Sequence, residues 1–174
     1  MITDIRQIVS DIVADMRLDG IYNGEEPYFM AGHRMEIAQR LREKNADSVF
    51  KYQKYPLIAL KLPAPAEIGT ASGNIREFRL NIAFIEFTNK NYISDERLDN
   101  VINPILEPMY AHFIEKCLNS SWVMENDTPP HTKIDRLFYG TEGNEGGEKY
   151  IFDDPLDAIE LIDFRIRVID KTCN

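Results

Sequence analysis

The sequence predicts an α+β domain, a sandwich in which a mainly antiparallel sheet is covered by helices. Strand-like runs occur as two consecutive pairs, and the clearest amphipathic helix of the chain lies between those pairs. Strands that pair through hairpins and are separated by a helix are typical of this class rather than of alternating α/β folds. The expected order is α-α-β-β-α-β-β, and the 174 residues fit one domain that spans 1–174.

Two helices are expected near the N-terminus. Thr3 is available as an N-cap for the first, and Gly20 follows it as a stop signal. A short extended piece, Tyr28 to Met30, precedes the second. Apolar residues recur at helical spacing in both segments: Ile5, Ile8, Val9, Ile12, Val13 and Met16 in the first, and Met35, Ile37, Ala38 and Leu41 in the second.

The first strand pair is predicted at residues 55–62 and 76–88. Pro63 and Pro65 should end the first of these strands, because proline lacks the N–H that a sheet requires, and a long loop should follow. In the second strand the alternation of apolar residues changes phase, so that Ile85 and Phe87 fall on the opposite face from Phe84. This change predicts either a β-bulge or burial of both faces at that end.

A long amphipathic helix is predicted at residues 94–118, where apolar residues recur every three or four positions. Pro104 and Pro108 lie inside it, and each removes a backbone donor. We therefore expect a kink or an interruption near Asn103.

The last strand pair is predicted at residues 131–140 and 157–170. In the second of these strands, apolar residues alternate with Arg165 and Arg167, which is typical of a strand with one buried and one solvated face. The connection between the two strands is rich in glycine and acidic residues. From Glu142 to Asp163 the chain carries eight acids and a single base, Lys149.

Charge and hydropathy exclude two classes of function. The net charge of −9 repels phosphate backbones, so that specific nucleic-acid binding is not expected. No run of roughly 18 apolar residues predicts a membrane span, and the N-terminus lacks the pattern of a signal peptide. We expect a protein that is made in the cytosol and does not bind membranes.

The two cysteines, Cys117 and Cys173, form no CxxC pair and belong to no histidine cluster. The pattern predicts one buried and one exposed thiol, without a disulfide or a metal site.

No nucleotide or cofactor motif accompanies the glycines at 143, 146 and 147. They match neither GxGxxG nor GxxxxGK[ST], and further acids follow them instead of a helix N-terminus. Asp153, Asp154 and Asp157 carry oxygen ligands that suit a hard cation, but the spacing of an EF-hand is absent. A solvated loop or an interface is the favoured interpretation, and no cofactor or metal is expected.

The histidines His33, His112 and His131 occur without HExxH or GxSxG. Helix capping, packing and strand-edge roles are the expected ones, although a Ser/His/Asp set scattered along the chain stays open. Because no nucleophile, metal or phosphate motif is found, we expect no catalytic residues and no enzymatic activity.

Aromatic residues flank the acidic connection on both sides. Two interpretations stay open: they fill one end of the core, or they anchor a protein contact, since aromatic anchors framed by charges are common in interfaces. These residues are Trp122, Phe138, Tyr139, Tyr150 and Phe152.

Four segments together resemble the tail-terminator and neck (head–tail completion) proteins of tailed bacteriophages, particularly those from phages of Bacteroidetes-type bacteria. The resemblance lies mainly in the arrangement of elements and covers nearly the whole chain. The segments are "KYPLIALKL", "FRLNIAFIEFTNKNYISDERLDNVINPILEPMY", "PHTKIDRLFYG" and "DAIELIDFRIRVI".

This resemblance implies a structural virion protein, assembled in the host cytoplasm, that forms a hexameric or larger ring at the tail end or the head–tail joint. Its partners would be further copies of itself and neighbouring tail-tube or neck proteins, with DNA only passing through the ring. The acidic connection would then be a flexible hairpin that reaches a neighbour. The expected interface residues are Asn144, Glu145, Glu148, Tyr150, Phe152, Asp153 and Asp154.

Two other classes stay open. One is a small cytosolic α+β binding or regulatory module, and the other is a hydrolase of unknown substrate. Genomic neighbourhood or the size of the native assembly would discriminate between them and a virion protein.

Overall fold

The computed structural model describes residues 4–20, 26–47, 54–68, 75–144 and 147–169. Helices α1 (Ile5–Leu18) and α2 (Arg34–Ala46) lie in the N-terminal part. A long helix is made of α3 (Ser94–Arg97), a π-helical segment (Leu98–Leu106) and α4 (Glu107–Asn119). The strands are β1 (Tyr28–His33), β2 (Leu57–Ile68), β3 (Ile75–Phe87), β4 (Thr132–Tyr139), β5 (Thr141–Asn144), β6 (Gly147–Tyr150) and β7 (Leu156–Ile169).

The main sheet has five strands in the order β1-β2-β3-β7-β4, and β5 and β6 form a separate two-stranded sheet. All neighbouring pairs in the main sheet are antiparallel except β1 and β2, which are parallel and are connected through α2. A parallel pair needs such a crossover because a tight turn cannot return the chain to the same end of the sheet. The predicted α+β class is therefore confirmed.

Both faces of the sheet are covered at one end, which is one of the two alternatives that the phase change in β3 predicted. Side chains of alternating residues in β2 and β3 enter two different clusters. Ile58 and Phe84 belong to the larger cluster, which includes α1 and the long helix. Leu57 and Ile85 belong to the smaller one, which includes α2 and the segment around Phe152. For part of its length the sheet therefore lies between two layers, with the larger cluster on one face and the smaller cluster on the other.

Helix α1 begins one residue later than the sequence suggested. Its N-cap is Asp4, whose side chain accepts a hydrogen bond from the backbone N–H of Arg6 over 2.9 Å, and Thr3 lies outside the described residues. The predicted stop at Gly20 is confirmed, because this glycine has a φ of +63°, a conformation that favours glycine at helix ends.

Strand β2 extends through Pro63 and Pro65 to Ile68, so the prediction that these prolines end it was wrong. Strand β1 pairs with β2 only as far as Leu62, and the register against β3 shifts between Leu60 and Pro65. Beyond Leu62 one edge of β2 therefore has no strand beside it among the described residues. Prolines are tolerated at sheet edges and bulges, where an N–H is not required.

The phase change in β3 has both of the predicted causes. The register against β7 shifts between Leu80 and Ile82, which marks a bulge or irregularity, and residues 82–85 are buried on both faces. In the second half of β7 the predicted alternation is confirmed, since Phe164, Ile166 and Val168 are buried. Its first half, from Leu156 to Leu161, is buried on both faces, and it includes the ionisable residues Asp157 and Glu160.

The long helix is interrupted where its prolines predicted. Pro104 lies inside the π-helical segment, and Pro108 lies in the first turn of α4, where a missing N–H costs little. The wider π turn accommodates the proline while the apolar face stays on the sheet, as shown by the full burial of Ile102, Leu106 and Met109.

Cys117 on α4 is buried, as predicted, and this burial raises the pKa of its thiol. Cys173 lies outside the described residues.

Candidate functional site

The acid-rich connection between β4 and β7 forms a hairpin, here called the acidic hairpin (β5 and β6, residues 141–150). Thr141 pairs with Tyr150, and Asn144 pairs with Gly147. The hairpin belongs to no other sheet in the described part of the chain. It is therefore a two-stranded arm inserted between two strands of the main sheet that are direct neighbours.

The seven predicted interface residues fall into four groups. Asn144, Glu148 and Tyr150 belong to the two strands of the acidic hairpin. Glu145 lies outside the described residues. Phe152 is buried. Asp153 and Asp154 follow it in the turn toward β7 and form ion pairs within the chain.

Phe152 belongs to the core of this chain, on its smaller cluster. Its ring is stacked on Tyr139 with 5.7 Å between centroids, and it lies directly over Gly140. A Cβ atom at Gly140 would come within 2.3 Å of the Phe152 ring, and Gly140 has a φ of +82°. For Phe152 and Tyr139, the structure thus favours the core-filling interpretation over that of exposed anchors. A substitution of Phe152 therefore tests the packing of the core and does not by itself test an interface.

Two ion pairs attach the segment after the hairpin to the rest of the domain. The Nε of Arg42, on α2, donates to Asp153 over 3.0 Å, and the same guanidinium donates to the carbonyl of Ile151. Lys54 and the hydroxyl of Tyr55 both donate to Asp154, over 2.6 Å and 3.0 Å. Burial, together with the nearby Asp154 carboxylate, raises the pKa of Tyr55 and keeps its hydroxyl a donor.

Asp157, the third acid that the sequence offered as a cation ligand, is committed to a buried ion pair. Arg97 donates to its Oδ1 over 2.8 Å, and the backbone N–H of Phe138 donates to the same oxygen over 2.9 Å. Among the described residues, no group of three or more His, Cys, Asp or Glu side chains is placed to hold a metal ion.

A second feature, missed from the sequence, is a cationic cleft at the base of the acidic hairpin. Its volume is about 360 Å³, near the lower end of the range of about 300–1,000 Å³ that is typical of ligand sites. Its lining includes three cations and one carboxylate, so that these side chains carry a net charge of +2 in a chain whose net charge is −9. The lining residues are Arg34, Lys61, Arg136, Leu137, Phe138, Tyr139, Gly140 and Glu160.

Glu160 organises the cations of this cleft. Lys61 on β2 donates to its Oε1, and the Nε of Arg136 on β4 donates to its Oε2 over 2.9 Å. Ile134 is the cross-strand partner of Glu160, which makes Arg136 its diagonal neighbour. Burial alone would raise the pKa of Glu160, but the hydrogen bonds and charges of Lys61 and Arg136 outweigh it and hold that pKa below its ordinary value.

Tyr139 forms the apolar wall of the cleft. The guanidinium carbon of Arg34 lies 5.7 Å from the centre of its ring, and the ammonium of Lys61 lies 6.0 Å from it. Burial, with the adjacent Glu160 carboxylate, raises the pKa of the Tyr139 hydroxyl. Beside it, Phe138 is 43% exposed and has a φ of +57°, an uncommon conformation for an aromatic residue.

The three histidines have structural partners. His33 caps α2 by accepting from the N–H of Met35 over 3.3 Å, and His112 lies 2.8 Å from Asp19. His131 lies 2.6 Å from the carbonyl of Pro129 through Nδ1, which must donate, so that a neutral ring accepts from the Tyr110 hydroxyl through Nε2. The predicted capping role of His33 and packing role of His112 are confirmed.

Comparisons with known proteins give this chain no family. No protein-family model matches it, and no curated protein matches it significantly. Within the described residues, no helix is both long enough and apolar enough to cross a membrane.

Proposed function

We propose that this chain is a structural subunit of a tailed-phage virion, which forms a ring at the tail end or the head–tail joint and docks the neighbouring component there. The observation that carries this proposal is the acidic hairpin, which forms a two-stranded sheet of its own and pairs with no strand of the main sheet among the described residues. An arm of this kind suits contact with another chain better than it suits catalysis.

The charge of the chain supports the same assignment. A net charge of −9 disfavours tight binding of DNA, and DNA that passes through the ring has to slide instead of being gripped. The ion pairs of Asp153 and Asp154 support it as well, because they attach the base of the arm to α2 and to the segment before β2. An arm held at its base can transmit force to the domain.

A second candidate, a small binding or regulatory module, is favoured by the cationic cleft. The three cationic side chains of the cleft, which lie beside the Tyr139 ring, suit the recognition of an anionic group. In that case the chain would be monomeric or dimeric and would bind a small anion without further assembly.

The experiment that tests the proposal is to delete the gene from the phage or prophage that encodes the chain and to image the particles by electron microscopy. Tails of abnormal length, or heads without tails, are expected, and the purified wild-type particle should contain the chain by mass spectrometry. Normal particles from the deletion strain, or particles that lack the chain, would contradict the proposal.

The absence of enzymatic activity is part of the same proposal. Purified protein should give no signal in hydrolase, nuclease and nucleotidase screens, with or without divalent metals. A reproducible activity that is lost on changing Asp153, Asp154 or His131 would overturn this part.

A further inference from the structure

The cationic cleft is a site held in place by its own hydrogen bonds. Glu160, with a side chain that is 9% exposed, binds Lys61 and Arg136 at the same time. Two cations on one carboxylate leave an excess of positive charge, and Arg34 adds to it across the Tyr139 ring. The position of the cations is therefore fixed before any ligand arrives, which lowers the entropic cost of binding.

The chemistry of the cleft selects carboxylates or phosphates. The side chain of Arg136 is 47% exposed and donates to Glu160 through Nε, and neither of its Nη nitrogens donates a hydrogen bond to another described residue. A guanidinium pairs with a second oxyanion through such a pair of N–H groups. Phe138, half-exposed at the rim, offers an apolar surface next to the charge.

The chain itself carries a segment with the complementary charge. The acidic hairpin contains Glu142, Glu145 and Glu148 against Lys149, a net charge of −2 opposite the +2 of the cleft. It leaves the main domain at Gly140, which lines the cleft. The acids of the hairpin thus follow the cationic lining of the cleft directly along the chain.

We infer that the acidic hairpin of one copy binds the cationic cleft of a second copy through carboxylate–guanidinium and carboxylate–ammonium pairs. The inference rests on the proposed function, because it names the contact through which subunits join. A contact between the hairpin of one copy and the cleft of the next repeats from copy to copy and closes a ring if the rotation permits. If two copies instead exchange hairpins reciprocally, the same contact gives a two-fold dimer.

The test combines two charge-reversed variants of the intact protein. The cleft variant carries R34E and R136E, and the hairpin variant carries E142K, E145K and E148K. Each alone should associate at least about tenfold more weakly than wild type, as measured by analytical ultracentrifugation and native mass spectrometry. An equimolar mixture should recover association, because a basic hairpin meets an acidic cleft and an acidic hairpin meets a basic one. Wild-type association should weaken with added salt.

The control is R6E with R17E on α1, which changes the net charge by the same amount away from the cleft. It should associate as wild type does. Circular dichroism identifies variants that fail to fold, and for these the neutral pair R34Q and R136Q replaces the cleft variant and should also weaken association.

Three outcomes overturn the inference. One is a folded cleft variant that associates like wild type. The same result is expected if each hairpin binds the cleft of its own copy, and that arrangement also contradicts the inference. Another is a mixture that recovers nothing. The third is a monomeric wild type whose cleft binds inorganic phosphate or citrate, which would assign the cleft to a small anion. A dimer that is lost in the cleft variant supports the inference but contradicts the ring. Rings that form equally well in all of these variants support the proposed function and contradict the inference.

Discussion

The guanidinium of Arg97 donates to Asp157 over 2.8 Å, and both side chains are almost completely buried, at 2% and 0% exposure. Arg97 also donates to the carbonyls of Tyr92 and Asn89, and the Phe138 ring covers its guanidinium at 3.7 Å. The pair therefore joins the N-terminal turn of the long helix to the start of β7, at the edge of the cationic cleft.

Replacing Arg97 with methionine should lower the free energy of unfolding by about 3–5 kcal/mol, because Asp157 would stay buried without its counter-charge. Urea denaturation measures the loss. R6M is the matched control, since Arg6 forms an ion pair with Asp4 in solvent and its removal should leave the midpoint almost unchanged. A similar midpoint for both variants would mean that the buried pair contributes no more than a surface one.

Alanine at Gly140 should destabilise the fold more than alanine at Gly20. Both glycines have a positive φ, so each substitution carries a conformational cost of about 1–2 kcal/mol. At Gly140 the new Cβ would also collide with the Phe152 ring, whereas at Gly20 it meets no atom of the described residues within 4 Å. Thermal melting compares the two. Equal shifts would show that Phe152 moves away at no cost.

Truncation of two apolar residues of the long helix, Phe113 and Ile105, should lower the free energy of unfolding by different amounts. F113A removes a fully buried ring that contacts Phe84 and Phe164, and it should cost about 3–5 kcal/mol. Ile105 is only partly buried, within the π-helical segment, so I105A should cost less. Chemical denaturation gives both values. An F113A variant as stable as I105A would contradict the packing of α4 on the sheet.

Stability should depend on pH through Asp19, at the C-terminus of α1. Hydrogen bonds from Lys116 and then from His112 hold the pKa of this carboxyl below its ordinary value of 3.8. The fold therefore favours the ionised form, and the contribution is fully present above about pH 4–5 and is lost as pH falls through the lowered pKa. The difference in melting temperature between wild type and D19N should thus be small but measurable at pH 7 and should shrink below about pH 3.8.

The control for this prediction is D11N, an exposed site on the same helix where an asparagine oxygen can still accept from Gln7. It should change the melting temperature little at either pH. If the effect of D19N stayed constant down to pH 2.5, its cause would be packing and not the ion pairs.

Local patterns determined the helices and the class of the fold. The periodicity of α1 and the stop at Gly20 depend on residues a few positions apart, so the sequence contains what is needed to predict them. The same holds for the interruption of the long helix, because the missing N–H of Pro104 is a property of that residue. The extension of β2 was not predictable in this way, since it depends on where β1 ends beside it.

The sequence by itself therefore determined which segments are helical, where acids concentrate and which motifs are missing. Only the tertiary structure decided that Phe152 is buried and that Arg34, Lys61, Arg136 and Glu160 lie together. These four residues come from α2, β2, β4 and β7, and their proximity depends on strand order and register. Register is set by pairing between distant segments and by packing on both faces of the sheet, which no local spacing contains.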